Sequence, residues 1–67
     1  MIHVRLNGDT RQLDLSSTIH EMVAELGLHA PLILIEHNGL ALHRGEWPTT
    51  QVSDGDRIEI LRVSAGG

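Results

Sequence analysis

The hydrophobic spacing of this chain changes period twice, and that change restricts its fold more than any other feature. Met1 to Leu6 alternates apolar and polar residues, so a strand there buries Ile2, Val4 and Leu6 on one face. Asn7-Gly8-Asp9-Thr10 reads as a turn, because Asn and Gly tolerate positive φ. Gln12 to Leu15 resumes the alternation with Leu13 and Leu15 inward, which completes a hairpin. The period then becomes helical: Ile19, Met22, Val23 and Leu26 fall at i, i+3, i+4 and i+7. Thr18 with Glu21 is a capping box, and Gly27 followed by Leu28 is a left-handed helix end with its hydrophobic contact. A helix of roughly two to three turns is unstable alone, so this one must lie on a sheet.

After Pro31, Leu32-Ile33-Leu34-Ile35 is an aliphatic run too short for a helix and is predicted as an interior strand. Asn38-Gly39 marks a hairpin turn, with Leu40-Ala41-Leu42 as the return strand. His43 to Val52 is predicted as an irregular connection holding one helical turn. Asp54-Gly55-Asp56 is a turn, and Arg57 to Val63 is the last strand. The order is ββαβββ. A helix between two strand groups is a crossover, and crossovers are right-handed. The compact solution sets the first and last strands parallel and adjacent in the middle of a mixed sheet of four to five strands, with the helix across one face. This α+β arrangement is the β-grasp, or ubiquitin-like, fold.

The composition removes whole classes of chemistry. At 67 residues the chain is one small domain, and it has no Cys, Phe or Tyr; its five cationic residues are all Arg. Without Cys there is no disulfide framework, thiolate nucleophile or Cys-based zinc site. Without Lys there is no Schiff-base amine or phosphate-loop lysine. These absences argue against a covalent enzyme. A net charge of −4 argues against nucleic acid, which needs a basic face, and suits a partner with a basic surface. No apolar run approaches the roughly 20 residues of a membrane span, and no signal-peptide pattern opens the chain, so the expected location is cytoplasmic.

The sequence divides into a β-grasp domain over 1–64 and a flexible tail over 65–67 that ends in Gly66-Gly67. These glycines add no side chain and no helix or strand propensity. They suit activation of a terminal carboxylate. Adenylation by ATP turns one carboxylate oxygen into part of a leaving group, and a sulfur nucleophile can then displace AMP to leave a thiocarboxylate on Gly67. A partner enzyme has to thread the tail to its ATP, and a Cβ would widen the channel that requires. The chain contributes only a positioned carboxyl group, so it needs neither Cys nor Lys.

Taken in order, Ile2 to Gly8, Thr18 to Val23, Ile35 to Gly39, Arg44 with Trp47, Asp54 to Ile60 and Gly66-Gly67 resemble the small ubiquitin-like sulfur carriers of the ThiS/MoaD type, the thiamine-biosynthesis branch most closely. The related molybdopterin synthase small subunit is usually longer and more aromatic. Ala65 stands where relatives often have a third glycine. The resemblance implies that a ThiF-type adenylating enzyme activates Gly67 with ATP. Sulfur from a cysteine desulfurase relay then makes the thiocarboxylate, and a ThiG-type thiazole synthase accepts that sulfur. Gly66 is the steric requirement, and Ser64 and Ala65 form the tether. The carrier itself holds no cofactor; ATP and the sulfur source serve its partners.

In the last strand Ile58 and Ile60 share one parity, and Leu61 and Val63 the other. Either Leu61 and Val63 lie on the open face as a docking patch beside the tail, with Arg62 guiding it, or a bulge returns them to the core. The five His residues have neither the i, i+4 nor the i, i+2 spacing of a metal pair, although His37 and His43 flank one turn. Trp47 is expected to cover a core edge with its N–H at the surface. The nine acids form no run and no paired-carboxylate signature, so they read as a solvated surface. Alternatives to the thiamine carrier are a carrier for molybdopterin or another sulfur pathway, a conjugation tag, and a non-covalent ubiquitin-like interaction domain.

Overall fold

A computed structural model describes residues 1–13 and 17–63. Five strands form one sheet: β1 (Ile2–Leu6), β2 (Asp9–Leu13), β3 (Ile33–His37), β4 (Leu40–Leu42) and β5 (Arg57–Arg62). Their order across the sheet is β2-β1-β5-β3-β4, with β1 and β5 parallel and every other pair antiparallel. The helix α1 (Ile19–Glu25) joins the first hairpin to the rest of the sheet. This is the β-grasp arrangement expected from the order of elements, and it makes the last strand the central one.

Local chemistry explains most element ends. The Thr18 hydroxyl accepts from the Glu21 N–H at 3.1 Å, and the Glu21 carboxylate accepts from the Thr18 N–H at 2.9 Å. At the other end Gly27 has φ +69°; its N–H donates to Ala24 and that of Leu28 to Val23, the two bonds of a Schellman ending. Both hairpins turn on Asn-Gly with positive φ at each residue, Asn7 and Gly8 in one and Asn38 and Gly39 in the other. Such two-residue turns match the twist of the flanking strands.

The turn therefore closes between Leu6 and Asp9, and β2 begins at Asp9 rather than after Thr10 as its polar residues suggest. Its position at the sheet edge leaves Asp9 to Gln12 exposed, so burial sets no alternation there. Leu15, expected inward, lies outside the described residues. Leu32 belongs to a short 3-10 turn over Ala30–Leu32, and a second such turn spans Arg44–Thr49.

The core lies between one face of the sheet and α1. Ile2 and Val4 from β1, Ile33 and Ile35 from β3 and Ile58 from β5 meet Ile19, Met22 and Val23 of the helix. Trp47 and Val52 close one side. Trp47 differs from expectation: the residue is 2% exposed, and its indole N–H is buried with no acceptor among the described residues. The six-residue 3-10 turn carries the ring inward, and the Arg44 guanidinium lies 5.5 Å from the ring centroid while donating to the Ala30 carbonyl at 2.9 Å.

Candidate functional site

The candidate site is the end of β5 and the sheet face beside it. Two asparagines from the hairpin turns fix this strand. On the β1 side the Asn7 N–H donates to the Ile58 carbonyl at 2.9 Å. The Asn7 side chain then accepts from the Ile60 N–H at 2.7 Å and donates to the Ile60 carbonyl at 3.2 Å. An amide side chain thus continues the strand ladder after the β1 backbone has turned away. On the β3 side Asn38 does similar work at the start of β5: its side chain accepts from the Arg57 N–H at 2.8 Å, and its own N–H donates to the Arg57 carbonyl at 2.8 Å. Past Ile60 the pairing continues with β3, ending at the Val63 N–H to Leu32 carbonyl bond of 2.7 Å.

The face of β5 away from the helix carries Leu61 and then Val63, which are 53% and 42% exposed. Leu61 lies directly opposite Leu34 of β3, itself 55% exposed. No bulge returns these side chains to the core. Arg62 is exposed too, but its register partner is the buried Ile33, so it projects from the other face and does not join Leu61 and Val63. Ser64, Ala65, Gly66 and Gly67 lie outside the described residues.

Three residues of this face were not singled out from sequence. Leu34 was hidden in a run with no visible period, and Glu36 and Glu59 looked like two of many solvated acids. In the sheet Glu36 stands opposite Glu59, next to the Leu34–Leu61 pair. The signal was available only through register: the Asn38-Gly39 turn fixes how β3 meets its neighbours, and the parity of β5 does the rest.

At the far end of β5 a polar cluster anchors the turn that precedes it. The Asp56 carboxylate is 2.7 Å from His37 Nε2, and it accepts from the Ser53 N–H at 2.8 Å and from the Asn38 side chain at 3.1 Å. The side chains of His37 and Asp56 are 19% and 12% exposed. Burial pushes the Asp56 carboxyl up, but the hydrogen bonds from His37, Ser53 and Asn38 outweigh it and hold the group below its ordinary 3.8. His3 and Asp54 form a looser pair at 3.9 Å on the surface. His37 is thus engaged by a carboxylate in the fold. Among the described residues no three His, Asp or Glu side chains gather as a metal set. No helix there is long and apolar enough to cross a membrane.

Comparison with known proteins places this geometry. The crystal structure of thiamine biosynthesis protein ThiS from Geobacter metallireducens superposes with a TM-score of 0.87 at 30% identity, covering 98% of this chain and all of that one. A solution structure of a thiamine biosynthesis protein from the same organism gives 0.82 at 30% identity, covering 98% of this chain and 88% of its own. A protein described as thiazole synthase from Paramagnetospirillum magneticum is 29% identical over 62 residues. Those residues are 92% of this chain and 19% of that protein, so the chain spans about a fifth of that relative's length. An uncharacterized protein, ycf40, from Trieres chinensis is 23% identical over 62 residues, 92% of this chain and 85% of its own. The ThiS family itself is matched over residues 4–67, nearly the whole length. With its sheet order, its central last strand and its full-length match, the chain belongs to the ThiS family.

Proposed function

We propose that this protein is a sulfur carrier of thiamine biosynthesis, a cosubstrate for partner enzymes rather than an enzyme. Gly67 is the residue modified. A ThiF-type enzyme transfers AMP from ATP to its carboxylate with release of pyrophosphate. Persulfide sulfur from a cysteine desulfurase relay then displaces AMP to give an acyl disulfide, a thiol reductant cleaves its S–S bond to leave the thiocarboxylate, and that group gives its sulfur to thiazole synthase. Gly66 keeps the thread narrow, while Ser64 and Ala65 provide reach. Leu61 and Val63, beside the tail, meet the partner first. Arg62 leaves from the opposite face and touches a different part of the partner.

The observation that carries this reading is the position of β5 in a ThiS-family chain. It is the central strand, locked on both sides by backbone and asparagine bonds, and the sequence after it is Ser64-Ala65-Gly66-Gly67. A fixed strand leading into residues without bulk is what delivery of a carboxyl group into another protein's active site requires.

Intact mass tests it. After incubation with ATP, the activating enzyme of the same organism and a sulfide source, the chain should gain the mass of one oxygen replaced by sulfur. A variant lacking Gly67 should gain nothing. Unchanged mass with an enzyme active on its own carrier would overturn the reading. A requirement for the thiazole moiety after deletion of the gene would assign the sulfur to thiamine, and its absence would point to another acceptor.

A further inference from the structure

Two cross-strand pairs lie side by side on the open face of the sheet, and they differ in character. Leu34 faces Leu61, and the next pair away from the tail is Glu36 facing Glu59. The Val63 to Leu32 and Asn38 to Arg57 backbone bonds bracket both pairs, which places them at the hydrogen-bonded positions of the ladder, with Cα atoms about 5.5 Å apart. The glutamates are half-buried, and among the described residues neither carboxylate has an ion-pair or hydrogen-bond partner. Like charges directly opposite one another destabilise a sheet. Arg57 lies two residues along the same strand from Glu59 and forms no ion pair with it. The isolated domain therefore holds a like-charge pair that no ion pair among the described residues bridges, with Arg5 and Arg57 on the same face, beside a pair of exposed leucines.

One external cation seated between the two carboxylates would relieve it, provided that the surface carrying the cation also covered the leucines. We infer that this face docks a patch of thiazole synthase in which an arginine or lysine stands next to an aliphatic side chain, the cation lying between Glu36 and Glu59 and the aliphatic group on Leu34 and Leu61. The inference rests on the sulfur-carrier reading and deepens it by naming what the carrier's docking face recognises. Thiazole synthase is the occupant because a segment similar to this chain makes up 19% of a protein so described, which brings such a domain and a synthase into one molecule. A second copy of this chain fits less well. A two-fold contact centred on this pair would bring a second Glu36–Glu59 pair to the same place and add like charge there.

The test compares the full chain with the Glu36→Gln/Glu59→Gln double variant. Glu25→Gln, exposed on α1, is the control. Affinity for the thiazole synthase of the same organism is measured by calorimetry at low and high salt. Melting temperature is recorded alongside. The double variant should melt above the wild type because the repulsion is gone. It should nevertheless bind at least about tenfold more weakly and lose most of the salt dependence, while Glu25→Gln matches the wild type. A gain in stability coupled to a loss of binding distinguishes a recognition pair from a merely structural one. Undiminished affinity in the double variant, an unchanged salt dependence, no binding by the wild type, or an effect confined to the activating enzyme would each overturn the inference. Thiocarboxylate formation, followed by mass in the same samples, reports separately on the carrier reading. Sulfur loading with undiminished synthase affinity in the double variant sinks only the docking inference.

Discussion

At the scale of single residues, a few polar side chains substitute for backbone. Asn7 sits at φ +51° in a turn, and its amide bonds both the N–H and the carbonyl of Ile60. Glycine would fit that backbone equally well but could not replace the missing strand. Asp56 plays the complementary part at the start of β5, gathering His37, Ser53 and Asn38. Its carboxyl is held below the ordinary 3.8, so the folded state binds this proton less readily than the unfolded chain does. The stability it contributes is accordingly full above the unfolded value. It drains away as pH falls below that value and through the folded one. Urea titrations from pH 7 down to about pH 3 should show the wild type losing stability more steeply than Asp56→Asn. Parallel profiles would mean that the carboxylate contributes nothing through its charge.

At the scale of elements, α1 has seven residues and little intrinsic stability, and its ends are correspondingly well fastened. Thr18→Ala removes the hydroxyl half of the capping box and should cost about 1 kcal/mol, read as a lower urea midpoint at unchanged slope. A midpoint equal to wild type would place the strength of that end in the tertiary bonds from Ile19 to Thr50 and from Val52 to Ser17. Such local devices were legible in the sequence because each is written in adjacent residues: the capping box, the Gly27 ending and both Asn-Gly turns. Their sum, with the helical stripe between two strand groups, was enough to give the sheet its central parallel pair. What escaped was non-local. The start of β2 was obscured because an edge strand can be polar on both faces. Trp47 was placed with its N–H in water, since nothing nearby says that a six-residue turn would carry the ring inward. The facing of Glu36 with Glu59, and of Leu34 with Leu61, needs the register of strands separated by some twenty residues of sequence.

At the scale of the whole molecule, one core serves every element, and Trp47 is its only aromatic reporter. With the ring 2% exposed against α1, native emission should be blue-shifted. It should move to the red on unfolding in a single step that coincides with loss of far-UV circular dichroism. Separate transitions by the two probes would show that the turn carrying Trp47 detaches before the sheet. The parallel setting of β1 and β5 also has a mechanical side. Under a pull along β5 from the Val63 side, the load would fall on the bonds to β1, Asn7 and β3 together, in shear, because the central strand has neighbours to slide against on both sides. Beyond Ile60 only the β3 side remains, so that stretch can peel one bond at a time. The strand is thus knotted most tightly over residues 57–60, where both neighbours hold it, so a pull along its length from the Val63 side is stopped before it reaches the buried Ile58.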